Sequence, residues 1–275
     1  MRVTCEICPH HCKLEEGGLG LCKGRMNRKG QVISENYGKL TALALDPIEK
    51  KPLYHFHPGS KILSIGSYGC NLKCPFCQNC DISMAGGKEI EYQRVTCEEL
   101  VTKALMLKSR GNIGIAYTYN EPLIGYEFVR DCASRMKQAG LKNVVVSNGY
   151  INREPLLELL PLIDAFNIDL KGFTEAYYHK LRGDLATVKQ SIELAAVRCH
   201  VEVTTLIVPG ENDSEEEMEA LSGWLASVHP EIPLHISRFF PRFQMLDRES
   251  TPVEQVYRLA AVARRNLRYV YEGNV

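Results

Sequence analysis

Three cysteines within eight residues, in Cys70-Asn71-Leu72-Lys73-Cys74-Pro75-Phe76-Cys77, constrain this chain more than any other feature. The spacing is C-x3-C-x2-C, and an aromatic, Phe76, directly precedes the third thiol. A loop this short can wrap three thiolates around three irons of a cube-shaped iron–sulfur cluster, a cofactor usually held by four cysteines. The fourth ligand is missing from the run unless Cys80 supplies it. An iron without a protein ligand is open to another molecule, as a catalytic metal keeps a vacant position. The competing readings of the motif are a structural zinc knuckle and chance.

A second group, Cys5, Cys8, Cys12 and Cys22, follows C-x2-C-x3-C-x9-C, with Gly17, Gly18, Gly20 and Gly24 loosening the chain around a metal. Four soft ligands within eighteen residues read as a tetrahedral zinc site or a second iron–sulfur cluster, and the spacing does not choose between them. The alternative is a set of reduced cysteines, or disulfides formed in air. His10 and His11 read as solvated or supporting groups, because four cysteines already fill four positions. The opening MRVTCEICPHHCK has no apolar signal region, so a reducing, cytoplasmic setting is expected, where clustered cysteines bind metal more often than they pair. Cys97, Cys132 and Cys199 read as packing residues. Lysine plus arginine is 33 and aspartate plus glutamate is 33, which leaves no electrostatic footprint for nucleic acid or a membrane surface. No run of eighteen apolar residues marks a membrane span.

From position 61 the pattern alternates strand and helix. Short apolar runs at 62–66, 113–117, 143–147, 165–169, 201–207 and 232–238 read as parallel strands covered on both faces. Thr96-x-x-Glu99 and Ser214-x-x-Glu217 are capping signals, Pro252 suits a first helical position, and a long helix is expected over 122–138. A closed eight-unit barrel needs about 250 residues, so the expected fold is α/β, an open partial (β/α)6 barrel over 61–275 behind a Cys-rich segment over 1–60. His55 and His57 are expected on one face of an extended segment, as packing residues. Polar residues recur at five strand ends: the cysteine loop, Tyr119-Asn120-Glu121, Ser147-Asn148-Gly149, Asp169-Leu170-Lys171 and Val208-Pro209-Gly210-Glu211-Asn212-Asp213. In parallel α/β folds the site gathers at these ends.

On these residues the chain resembles the radical S-adenosylmethionine (SAM) enzymes, nearest to pyruvate formate-lyase activating enzyme and its relatives. The Cys-rich head and LDPIEKKPLYHFHPGS are similar to the radical enzyme of the AmmeMemoRadiSam system, whose members run on past a similar YVYEGN. The resemblance implies that Cys70, Cys74 and Cys77 hold a [4Fe-4S] cluster, with Phe76 as the motif's aromatic. It implies that Glu121 binds the methionine amino group, with Tyr119 and Asn120 standing where the family has two glycines. Ser147, Asn148, Asp169 and Lys171 would contact S-adenosylmethionine. His235 is a candidate for the family's histidine near the adenine. Apart from the resemblance, Arg238, Phe239, Phe240 and Arg242 read either as lining of the substrate mouth or as a solvated loop. The implied activity is reductive cleavage of S-adenosylmethionine to a 5′-deoxyadenosyl radical that takes hydrogen from an unidentified substrate, a glycine on a partner chain if the protein is an activase. The cofactor carries the chemistry, so no side chain is assigned as catalytic. An external donor of flavodoxin or ferredoxin type would supply the electron. The reading from another class is an iron–sulfur electron-transfer or metal-binding adaptor that never cleaves the cofactor.

Overall fold

Buried apolar runs make the frame. The computed structural model describes residues 1–275. After a hairpin of β1 (Arg25–Arg28) and β2 (Gln31–Ser34), strand β3 (Ala42–Pro47) runs antiparallel to β4 (Lys61–Gly66). The βα alternation follows: α1 (Cys97–Met106), β5 (Asn112–Tyr117), α2 (Tyr126–Gln138), β6 (Lys142–Ser147), α3 (Arg153–Leu159) and β7 (Ala165–Asp169). Next come α4 (Glu175–Lys180), α5 (Leu185–Ala196), β8 (His200–Ile207), α6 (Glu215–Val228), β9 (Leu234–Arg238), α7 (Val253–Ala263) and β10 (Val270–Gly273). The main sheet has eight strands in the order β10-β9-β8-β7-β6-β5-β4-β3. Strands β4 to β10 are all parallel, and the two edges do not pair, so the sheet is open.

The expected α/β class and open parallel sheet are present. The sheet carries one parallel strand beyond the six read from sequence, β10, whose Val270 pairs with Leu234. The boundary expected at residue 60 falls inside continuous packing. Strand β3 belongs to the main sheet, and Ile48 and Leu53 are buried with Ile62, Ala116, Val144 and Ala165 in one apolar cluster. The Thr96–Glu99 capping box forms in full. At α6 only half of it does: Ser214 accepts the Glu217 N–H, while the Glu217 carboxylate accepts instead from Phe173 N at 2.5 Å. Pro252 sits one place earlier than expected, at the N-cap of α7. The segment around Tyr54–Gly59 is a turn and not an extended stretch. His57 has φ +47°, so His55 and His57 do not share a face. His55 packs on Tyr269 and Tyr271, which agrees with a packing role. Cys97 and Cys132, expected in packing, face each other from α1 and α2 with Sγ atoms 2.8 Å apart and unbonded. No helix is long and apolar enough to cross a membrane.

Candidate functional site

Parallel strands send their side chains alternately to the helices and to the opposite, inner face. On that inner face, above the strands' C-terminal ends, lies a cavity of about 360 Å3. Cys70, Cys74, Phe76 and Cys77 form one wall, and Asn120, Glu121, Ser147, Asn148, Asp169 and Lys171 another. The structure thus brings together the residues the sequence singled out at four successive strand ends, Gly149 and Leu170 excepted.

The cysteine loop follows β4 and is held from both sides. Gly69 has φ +88°, and a Cβ there would stand 2.3 Å from the carbonyl oxygen of Cys22, so only glycine lets the N-terminal segment approach. Asn120 donates to Gly69 O at 3.1 Å and accepts from Ser67 N at 2.9 Å, so its side chain shapes the entrance of the loop. Gln244 N donates to Pro75 O at 2.9 Å from the other side. His10 Nε2 reaches Asn71 O at 2.7 Å, a supporting contact, while His11 pairs with Glu6 at the surface. Burial pushes the Cys74 thiol up to about 12, an effect that nearby Lys171 opposes. Buried thiols of this kind ionise when a metal takes the place of the proton, so the donor set suits a thiolate-ligated group.

Glu121 is 4% exposed, and its carboxylate accepts three hydrogen bonds. Ser147 Oγ and Leu123 N donate to Oε1 at 2.8 and 2.9 Å, and Asn148 N donates to Oε2 at 2.8 Å. Burial outweighs these donors and raises the Glu121 carboxyl to about 7. Asn148 Nδ2 faces Cys70 Sγ at 3.6 Å and donates to Asn71 Oδ1 at 2.9 Å, which ties the third strand end to the cysteine loop. Lys171 Nζ meets Asp169 Oδ2 at 2.8 Å. Burial lowers the Lys171 ammonium, but Asp169 and the neighbouring Cys74 outweigh it and hold the group charged. Tyr119 adopts φ +71°, in the left-handed region that favours glycine.

Other expected lining residues lie elsewhere. The fifth strand end acts from behind: Asn212 Nδ2 donates to Lys171 O at 2.7 Å, and Glu211 pairs with Lys180 and Arg248. Cys80 starts a helical turn beside Asp81 and does not line the cavity, so it is no fourth wall to the three cysteines. His235 is not beside the cavity as an adenine partner would be, because Nε2 donates to the buried Glu202 at 2.7 Å. Phe239 is buried, and Arg238 donates to Thr251 O at 2.7 Å, so neither forms a mouth.

Cys5, Cys8, Cys12 and Cys22 line one small cavity together with Arg25. The Sγ atoms of Cys12 and Cys22 lie 3.7 and 3.6 Å from where a Cβ on Gly20 would stand. Arg25 is anchored by the Glu127 carboxylate and by Ile124 O at 3.4 Å. Four thiolates on one zinc ion stand roughly 3.8 Å apart.

Sequence reasoning passed over Asp46, Lys51 and Glu202. Lys51 lines the cavity and donates to Asp46 at 2.9 Å, and the Tyr119 hydroxyl donates to the same carboxylate oxygen at 2.6 Å. The signal for Glu202 was an alternation, His200-x-Glu202-x-Thr204, that marks a polar inner face on an apolar strand.

Residues 64–221 match the model of the radical SAM superfamily. An uncharacterized protein of Methanocaldococcus jannaschii is 41% identical over 277 residues, covering 100% of this chain and 82% of the relative. Pyruvate formate-lyase 1-activating enzyme of Escherichia coli is 28% identical over 169 residues, 60% of this chain and 68% of that enzyme. The activating enzyme of Clostridium pasteurianum is 30% identical over 168 residues, 58% and 67% of the two chains. In fold the chain is similar to Streptococcus suis SuiB bound to S-adenosylmethionine, with a TM-score of 0.60 at 11% identity over 78% of this chain and 52% of that one. The chain belongs to the radical SAM superfamily and is an enzyme related to the pyruvate formate-lyase activating enzymes.

Proposed function

We propose that this chain holds a [4Fe-4S] cluster on Cys70, Cys74 and Cys77, binds S-adenosylmethionine against it, and abstracts hydrogen from a protein substrate. The observation that carries the reading is the convergence of three thiols, Glu121, Asn148 and the Asp169–Lys171 pair on one cavity. When bound, the cluster and S-adenosylmethionine supply a one-electron cleavage that gives methionine and a 5′-deoxyadenosyl radical. The chain's own residues bind and orient. Glu121 has one acceptor position left after three donors, which suits an ammonium. Lys171, held charged by Asp169, suits a carboxylate or a ribose hydroxyl. Asn148 spans the two walls and fixes the separation of amino-group site and cysteine loop.

The protein substrate is inferred from the activating enzymes among the relatives, with a glycine as the hydrogen donor. The head and the Leu45–Ser60 stretch favour the AmmeMemoRadiSam branch. A flavodoxin- or ferredoxin-type donor and a cytoplasmic setting accompany this reading. Cys5, Cys8, Cys12 and Cys22 form a second metal site in the 1–60 segment, with Arg25 offsetting thiolate charge.

The test is S-adenosylmethionine binding by the cluster-loaded protein as a function of pH. A carboxyl raised from 4.5 to about 7 is protonated below 7, and only the carboxylate receives an ammonium. Affinity therefore rises with pH by up to about tenfold per unit to near 7 and then levels. Glu121→Gln weakens binding about tenfold or more and flattens the profile. Equal affinity of wild type and Glu121→Gln at pH 8 would remove Glu121 from the site.

A further inference from the structure

The stretch between β3 and β4 crosses beneath the sheet's inner face and brings two lysines to the cavity. Lys50, Lys51 and Pro52 line it together with Thr204, Ser237 and Asn274, away from the cysteine loop. The strap is fastened on both sides. Asn167 Nδ2 donates to Pro52 O at 2.8 Å, and the backbone N–H groups of Tyr54 and His55 donate to the buried Glu202 at 3.0 and 2.8 Å. Leu53 is fully buried.

The charges of this strap do not balance locally. Lys51 Nζ lies 2.9 Å from Asp46, and Lys50 Nζ lies 3.6 Å from the same carboxylate, so two ammonium groups share one anion. Asp46 also accepts from Tyr119. Glu49 is turned away, accepting from Gly59 N at 2.6 Å. Across the cavity, Asp169 is taken by Lys171, and Glu121 by its three donors. The Lys50 side chain is 68% exposed and reaches Asp46 only at 3.6 Å, so its ammonium is free to meet a second anion at the cavity that Thr204, Ser237 and Asn274 also line. A wall of this chemistry repels apolar and cationic groups and receives an anion.

We propose that Lys50 and Lys51, with Thr204, Ser237 and Asn274 around them, form a subsite for an anionic group of the hydrogen-donating substrate, a carboxylate or a phosphoryl group. The inference rests on the reading of the cavity as the S-adenosylmethionine site and adds the class of substrate. Lys51 supplies a fixed charge, and Lys50 closes on the anion from the exposed side.

The probes are inorganic phosphate and succinate, each titrated by calorimetry into cluster-loaded protein already saturated with S-adenosylmethionine, so that the methionine end of the site is filled. One saturable site is expected, and the tighter of the two anions names the source. Lys50→Gln, an exposed position that leaves the core intact, weakens that site about tenfold. Lys51→Met weakens it further. Lys180→Gln, paired with Glu211 outside the cavity, binds as the wild type does. Binding of neither anion, or Lys50→Gln binding like wild type, overturns the subsite. S-adenosylmethionine titrated into the same samples separates the two levels: if it binds and the anions do not, only the subsite fails; if it does not bind, the reading beneath fails.

Discussion

Alanine at Cys70, Cys74 or Cys77 leaves a folded protein that no longer keeps its cluster. Each thiol comes from one short loop, and a cube held on three cysteines has no spare ligand when Cys80 lies outside the cavity. The fold does not depend on these thiols in the way a zinc finger depends on its metal. The main apolar cluster joins 55 buried residues contributed by strands and helices throughout the sheet, so circular dichroism and thermal midpoint change little. Iron and inorganic sulfide per chain are the readouts, each expected to fall by about four in the triple variant. Metal that survives in that variant belongs to Cys5, Cys8, Cys12 and Cys22, and its identity, zinc or iron with sulfide, decides what the head holds. No surviving metal would remove the second site. Iron and sulfide unchanged in the triple variant would remove the assignment of the loop.

Glu202→Ala is expected to lower stability by about 3–5 kcal/mol. Its side chain is fully buried and serves four donors: His235 and His200 at 2.7 and 2.9 Å, and the N–H groups of Tyr54 and His55 at 3.0 and 2.8 Å. A carboxylate only accepts, so both imidazoles present N–H here. Burial raises the group, but these hydrogen bonds, led by His200 and His235, hold it down to about 2. A depressed carboxyl contributes stability above its unfolded value near 4.5, and the contribution drains away as pH falls from there toward 2. The wild type therefore loses about 3 kcal/mol over that window from this group. Glu202→Gln lacks most of it already at pH 7, because one amide oxygen stands where the carboxylate has two and its NH2 opposes the remaining donors, and the gap to the wild type closes as pH falls through that window. Urea unfolding at pH 7 and pH 4 reads both effects. Equal stability of Glu202→Gln and wild type at pH 7 would mean that the strap is held by Leu53 and Pro52 alone.

The strands were legible because parallel strands buried on both faces appear as unbroken apolar runs. Five of the six begin one residue before or at the expected position, and β9 starts two residues later. Strand β10 escaped because Val270–Gly273 is short and mostly half-buried, so it carries little apolar signal. The site was legible where type and place agreed: Cys70, Cys74, Cys77, Glu121, Asn148 and Asp169 each follow or end a strand. What sequence order hides is who pairs with whom. Glu202 gathers partners from Tyr54 to His235, and nothing local to VEVTTLI marks a charge that is fully paired. Asp46, Lys51 and Tyr119 meet only because the strap folds under the sheet and Tyr119 takes a left-handed backbone shape that favours glycine. Asn212 looked like lining and is a brace, since its amide reaches the backbone of Lys171 and not the cavity.

The most direct measurement is 5′-deoxyadenosine formation without oxygen. Reconstituted protein is reduced, S-adenosylmethionine is added, and the product is quantified by chromatography beside Cys74→Ala. Product from the wild type and none above background from Cys74→Ala is the expected result. No product from wild-type protein with a verified cluster would contradict the account and leave electron transfer or metal binding as the function of the cysteine loop.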